Sequence, residues 1–410
     1  MPRGSGDQKG EEDSSPDPIR KEERLHDLPP LSQAGLHFEW RGKEVLKGLR
    51  ILEPPQEVFV RPDHPPDPCR ADPPPVEVEQ LVRLPNGLEI EEISPSETGF
   101  IYQEVFEENC YCPDPALLSF QPSAGQGEAE AQRPPPFTIE LKSGDTVVDV
   151  GANIGLFLLY VEQEVGRTGP GSLGFAPALK KRKVDTHGQV PEAEQSPNSP
   201  QPASGVRVFA FEPLPPTFRV LKANVLKHRL HTRNLGPITL CRLGIGRMWS
   251  PSMQFTFYPN MCGNSTCRPE EKDKQRDALR AEDCTLQDRA GQVEHCGQLN
   301  RESFFFGDSQ TYACPMATLS WAITALDIGS KIDLLKIDVE GCELDVLLGI
   351  QDRHWECIRQ VIVEVHDRAD RLDRIISMLQ SRGFDVALLR SEALKSLGNC
   401  NIYARRKQCE

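Results

Sequence analysis

The stretch TVVDVGANIGLF, Thr146 to Phe157, decides how the rest of this 410-residue chain is read. β-favouring residues surround Asp149, and two glycines four apart, Gly151 and Gly155, then open a segment with Ile154, Phe157, Leu158, Val161 and Val165 at helical spacing, ending at Gly166. A buried strand that ends in a carboxylate and passes at once through a glycine turn into a helix is the first βα unit of an open α/β sheet. In such sheets the turn after the first strand is the usual ligand site.

The kind of ligand follows from the spacing. A dinucleotide fingerprint, G-x-G-x-x-G, aims a helix N-terminus at a pyrophosphate. Here the pattern is Asp149-x-Gly151-x-x-x-Gly155, with an acid where a phosphate would be repelled. An acid suits a ligand with cationic groups, and S-adenosylmethionine carries an ammonium and a sulfonium but no phosphate. Gly151 lets the backbone approach a ligand closely, and Gly155 lets the helix start pack tightly. Glu212, at the end of the next strand (VRVFAFE, Val206 to Glu212), is placed to accept hydrogen bonds from two ribose hydroxyls. It lies 61 positions beyond Gly151, but removing an insert of about 39 residues leaves about 22, the separation usual for that role.

Outward from this unit, strands and helices alternate. Phe218, Leu221 and Val225 stripe a helix; ITLCRL, IDLLKID and QVIVEV read as strands; Leu372, Ile375, Ile376 and Leu379 mark a helix stopped by Gly383. FDVALL and CNIYARR close the chain as an antiparallel pair, and Pro85-Asn86-Gly87 reads as a hairpin turn. The expected fold is a doubly wound α/β sheet, mostly parallel with an antiparallel C-terminal strand.

Composition sets the surroundings. Residues 1–76 are rich in Pro and acids with little periodicity and read as a disordered tail, with local order only around LHFEW, Leu36 to Trp40. Residues 77–407 read as one domain interrupted by polar inserts at about 121–136, 167–205 and 268–309, the last helical in part. A formal charge of −14 argues against a general nucleic-acid binder. Thirteen cysteines at irregular spacing fit reduced thiols rather than a secreted disulfide framework, and no paired CxxC motifs support zinc, although Cys110 with Cys112 and Cys262 with Cys267 raise it. No signal-like leader or membrane-length apolar run is present, so a cytoplasmic location is expected, with a nuclear fraction if KKRK, Lys180 to Lys183, is read by import receptors.

LPNGLEI, IYQEVF, TVVDVGANIGLF, VFAFEPLPPTFRVLKANV, TALD, IDLLKIDVEGCELDVLLGI and VIVEVH follow one another in a way that resembles FkbM-type S-adenosylmethionine-dependent methyltransferases. The resemblance spans about Leu81 to Arg405 without the inserts, and KIDVEGCE is its most specific element. It implies a class I methyltransferase fold and O-methylation of a hydroxyl on a small molecule or glycan. By that likeness Asp149, Gly151, Asn153 and Glu212 fall on cofactor-binding positions, while Asp338, Glu340, Glu364 and His366 fall near the reacting end. The long acidic tail and the inserts depart from the family pattern, which leaves the acceptor open.

A hydroxyl acceptor must lose a proton during transfer. His366 is the expected general base, because its ordinary pKa near 6.5 leaves it neutral at cellular pH. Asp338, Glu340 and Glu364 are the other candidates, and the same cluster has the composition to hold Mg²⁺. The bland reading is that the acids cap helices, Lys336 pairs with a carboxylate and His366 only packs. Two further readings stand beside transfer to a small molecule: a silent methyltransferase-like domain used for binding, and methylation of protein or nucleic acid. The latter lacks an Asn/Asp-Pro-Pro-aromatic motif.

Overall fold

The computed structural model describes residues 48–54, 81–121, 140–167, 205–229, 235–277, 305–366, 370–390 and 399–407. The tail segment around LHFEW, most of the first two inserts and the KKRK run lie outside the described residues. The strands are β1 (Leu49–Leu52), β2 (Leu81–Arg83), β3 (Glu89–Glu91), β4 (Ser119–Gln121), β5 (Thr146–Val150), β6 (Val206–Phe211) and β7 (Leu235–Cys241). They continue with β8 (Gly244–Ile245), β9 (Ser250–Phe257), β10 (Gln310–Ala317), β11 (Leu334–Ile337), β12 (Gln360–His366), β13 (Phe384–Leu389) and β14 (Asn399–Arg406). The helices are α1 (Pro95–Tyr102), α2 (Leu156–Arg167), α3 (Pro215–Arg229), α4 (Leu319–Ala325), α5 (Glu343–Leu348), α6 (Asp352–Trp355) and α7 (Arg371–Ser381). A π-helical turn, Gln103–Glu107, follows α1, and residues 269–277 are also helical.

Nine strands form one sheet in the order β1-β7-β6-β5-β11-β12-β14-β13-β4. The run from β1 to β12 is parallel, and β14 enters antiparallel between β12 and β13. After β5 the chain steps outward through β6 and β7, then returns to the other side of β5 as β11. That reversal opens a crevice at the carboxyl ends of β5 and β11, the position at which open α/β sheets take their ligands. The expected doubly wound sheet with an antiparallel C-terminal strand is the observed one.

Burial alternates along the central strands. Val147, Val208 and Ala210 face α2 and α3 with Phe157, Leu158, Phe218 and Leu221, while Val148, Val150, Phe209 and Phe211 face the opposite layer with Leu319, Leu347, Ile375 and Leu379. Strands buried on both faces therefore read as continuous apolar runs. A third apolar cluster joins the β2–β3 hairpin and α1 to the small β8-β10-β9 sheet through Ile90, Tyr102, Ile154, Phe257, Tyr312 and Met316. Of these elements, α1, Ile154, Phe255 and Met316 line the crevice. No helix among the described residues is long and apolar enough to cross a membrane.

Two boundaries differ from the sequence reading. Residues 49–52, assigned to the tail, form β1 and pair in parallel with β7, burying Leu49 and Leu52. Four residues of strand between Gly48 and Pro54 are too short to show a period against a Pro-rich background. The start of the third insert is also not peripheral: within 269–277, Lys272 is 2% exposed and reaches into the site.

Candidate functional site

The crevice is a cavity of about 450 Å³ walled by the ends of β5, β6, β11 and β12 and by α1, the π turn and residues 261–267. Its two halves differ. Leu243, Ile245, Phe255 and Met316 make an apolar half beside Glu212, and Glu104, Lys336, Asp338, Glu340 and Glu364 make a charged half.

The glycine turn lies between them. Register pairs Val150 with Ile337, so Gly151 emerges level with Asp338. Gly151 has φ of +81°, and a Cβ there would lie 1.7 Å from the Asp338 carbonyl oxygen. Its glycine is thus demanded by the neighbouring strand as well as by the turn. Gly155, with φ of +93°, does not line the cavity; a Cβ would meet Leu221 at 2.8 Å, which is the close helix packing expected of it. Asn153 also adopts positive φ, 47°, a conformation Asn tolerates better than most residues. Its backbone N–H donates to Glu212 Oε2 at 3.1 Å, and Leu214 N–H donates to Glu212 Oε1 at 3.0 Å.

Each carboxylate oxygen accepts up to two hydrogen bonds, so Glu212 is fixed by the turn yet keeps acceptor capacity in the cavity. Burial pushes its pKa up to about 7 against the pull of those N–H groups. A second carboxylate stands opposite. Glu97, 1% exposed, accepts from the backbone N–H groups of Cys262 and Gly263 and from the Asn153 amide at 3.3 Å.

Beneath the charged half, Asp149 and Lys336 are register partners on adjacent strands. The Lys336 ammonium donates to the Gly151 carbonyl at 2.8 Å and sits 3.2 Å from Asp149 and 3.4 Å from Asp338. Asp149 is fully buried and does not line the cavity. Where a cationic ligand is expected to meet Asp149, the cation beside it is the protein's own Lys336, which the strand register places there.

Glu340 is held in the left-handed region, φ 52°, followed by Gly341 at φ 105°. Its carboxylate takes His366 Nε2 at 2.8 Å and the Lys272 ammonium, and although burial opposes ionisation, those two cations bring its pKa down to about 2. The other ring nitrogen, His366 Nδ1, is 2.9 Å from Glu343, itself fully buried and paired with Arg371. Burial disfavours a charged imidazole, but Glu340 and Glu343 outweigh it and push the His366 pKa well up. His366 lies behind Glu340 and does not line the cavity. The expected neutral general base thus sits between two carboxylates, away from the cavity, and a ring that donates from both nitrogens has no lone pair for an incoming proton.

The candidates that do reach the cavity are Asp338, Glu340 and Glu364, joined by Glu104 from the π turn. Glu364 accepts from the Asn399 amide at 3.0 Å; burial, then Asp338, push its pKa up to about 8. Burial, then Glu364, push Glu104 up to about 9. No three His, Cys, Asp or Glu side chains among the described residues converge as metal ligands. Cys267 bonds to Cys342, which departs from the expectation of reduced thiols, whereas Cys110, Cys262 and Cys357 carry no bridge.

Sequence reasoning missed Glu97, Glu104 and Lys272, which arrive from outside the β-strand ends. Ser94-x-x-Glu97 has the spacing of a helix capping box, and Ser94 does cap α1, but the Glu97 side chain turns instead to Cys262 and Gly263. Nothing local marks Lys272.

A protein-family model described as the Methyltransferase FkbM domain matches residues 149–386. The 31-O-demethyl-FK506 methyltransferase FkbM of Streptomyces tacrolimicus is 28% identical over 323 residues, covering 76% of this chain and 90% of that protein. Methyltransferase sdnD of Sordaria araneosa is 30% identical over 303 residues, covering 73% and 87%. A crystal structure of Methyltransferase FkbM from Methylobacillus flagellatus KT aligns at 14% identity and a TM-score of 0.34, over 64% of this chain and 44% of that one. The extent of the family match, the relatives' coverage and the site at the sheet's reversal agree: the chain belongs to the FkbM methyltransferase family.

Proposed function

We propose that this chain moves a methyl group from S-adenosylmethionine to a hydroxyl of a small molecule or glycan, and that residues 77–407 with β1 form the catalytic unit. The observation that carries the reading is Glu212: a buried carboxylate held by the N–H groups of Asn153 and Leu214, with remaining acceptor capacity in the cavity beside a glycine turn. Two acceptors fixed side by side suit the two hydroxyls of a ribose. The apolar half has room and chemistry for an adenine ring, and the surrounding acids favour a cationic amino-acid end over a phosphate. S-adenosylmethionine, once bound there, supplies an electrophilic methyl group. The S. tacrolimicus relative's name specifies methylation at an oxygen, which supports a hydroxyl acceptor here.

The protein's share of such a transfer is alignment and proton removal. Lys336 ties the glycine turn to Asp338, so the cofactor side and the acceptor side are held by one buried ammonium. Glu364 is the base we assign, because it lines the cavity and a carboxyl pushed up to about 8 has the proton affinity that general-base catalysis near neutral pH requires. Protonated His366 is a positioning residue that, with Lys272, keeps Glu340 ionised and fixed.

Incubating the protein with methyl-labelled S-adenosylmethionine and fractionated cell extract tests the acceptor class. Label should enter small molecules or glycans. Label confined to protein or RNA would overturn the acceptor assignment, and no transfer despite cofactor binding would make this a binding domain.

A further inference from the structure

Residues 262–277 supply part of the cavity wall: Cys262 and Gly263 are held by Glu97, Asn264 by the Phe305 carbonyl and Thr266 by backbone bonds to Thr256, and from Thr266 onward the segment is attached to the loop from Asp338 to Cys342, to α5 and to α7. Thr266 Oγ1 donates to the Glu340 carbonyl at 2.7 Å, Lys272 pairs with Glu340, Arg268 with Asp345, and Glu271 with Arg371. These contacts are polar and noncovalent; the Arg268 pair is partly exposed, while the Lys272 and Arg371 pairs are largely buried. The covalent tie between the two segments is the Cys267–Cys342 bond, which joins positions 75 residues apart. Both cysteines line the cavity; Cys342 is 4% exposed and Cys267 is partly accessible.

We propose that Cys267 and Cys342 are a reversible redox pair whose bond fixes this wall of the cavity and whose reduction loosens it. The chemistry needs only a low-molecular-weight thiol and its disulfide, such as glutathione. A thiolate entering by the cavity attacks the Cys267 sulfur, the S–S bond breaks, and the Cys342 sulfur leaves with the electron pair and takes a proton. A second thiolate attacks the mixed disulfide, releasing Cys267 as a thiol and departing as the small disulfide. Two electrons and two protons are taken up by the protein, and the reverse sequence re-forms the bond. Bridged, the wall cannot swing away from the Glu340 loop. Reduced, the part beyond Thr266 is held to that loop and to the two helices by noncovalent contacts alone, so it opens more often and a ligand behind it escapes faster.

The consequence for ligand affinity rests on the cofactor reading above; the bridge itself does not. Full-length protein is equilibrated across glutathione thiol–disulfide ratios and alkylated, and its peptides are mapped by mass spectrometry. Cys267 and Cys342 should become protected together, while Cys357 alkylates throughout. Hydrogen exchange across 262–277 should be about tenfold faster in the reduced protein, and S-adenosylhomocysteine should bind about fivefold or more weakly. Cys267→Ser and, as a second variant, Cys342→Ser should lose both redox responses and behave as the reduced wild type. Independent alkylation of the two cysteines even in disulfide buffer would overturn the proposal, as would a bridge that leaves exchange of 262–277 unchanged. A bridge that slows exchange in a protein that binds no S-adenosylhomocysteine in either state would uphold the proposal and sink the cofactor reading.

Discussion

Glu212 is the residue on which most depends, and its environment makes a prediction of definite sign. Its pKa is pushed up to about 7 in the ligand-free cavity, and ribose hydroxyls donate to the ionised form. Binding therefore releases a proton, and affinity for S-adenosylhomocysteine should rise from pH 6 to pH 8. Glu212→Gln should flatten that rise, read by calorimetry in buffers of different ionisation enthalpy. At the charged end, Glu364→Gln should lower kcat by about 10²- to 10⁴-fold with little change in S-adenosylhomocysteine affinity. His366→Gln should retain the lower limb of the pH profile, because the group that sets it is Glu364. A lost lower limb in His366→Gln alone would restore the histidine as base. At this scale the sequence was legible where partners are local. Gly151, Asn153 and Glu212 sit in consecutive βα units whose geometry is shared by the fold. The pairing of Asp149 with Lys336, and the enclosure of His366 by Glu340 and Glu343, depend on register and side-chain direction, which periodicity does not encode.

Elements with a strong period were legible and those without one were not. The β5–α2–β6–α3 run shows alternation and helical stripes, and the β13–β14 pair sits at the expected place. β9 escaped because its outward positions are polar and exposed and its partner β10 lies beyond a long insert. β1 escaped because it is four residues long. Its place in the sheet has a simple test. Leu49 is fully buried, so Leu49→Ala should cost about 2–5 kcal/mol of unfolding free energy in a denaturant titration. An unchanged midpoint and slope would return these residues to the tail. The glycine turn is equally checkable, since Gly151→Ala brings a methyl group onto the Asp338 backbone and should leave little folded, cofactor-binding protein in a thermal melt.

Across the whole molecule, the buried and partly buried acids make stability depend on pH. Glu212, Glu364 and Glu104 have pKa values pushed up to about 7, 8 and 9 from an ordinary 4.5. The native protein then holds protons that the unfolded chain has released above pH 4.5, so stability falls as pH rises towards 9. His366 acts in the same direction, since its pKa is also raised and its contribution is lost as pH climbs through the folded value. Glu340 acts oppositely: with its pKa brought down to about 2, its contribution is present above about 4.5 and disappears as pH falls. The ligand-free Tm should therefore peak near pH 5 and decline to pH 9. A Tm that climbs over that interval would contradict the burial of this acid set.

The central claim is that the cavity binds a nucleoside cofactor through Glu212 and the turn at Gly151. Isothermal titration of the full-length protein with S-adenosylhomocysteine tests it most directly. We predict saturable one-to-one binding, weakened by about 1–3 kcal/mol in Glu212→Ala as the ribose hydrogen bonds are lost. Equal affinity in wild type and Glu212→Ala, or a preference for NAD over S-adenosylhomocysteine, would contradict it.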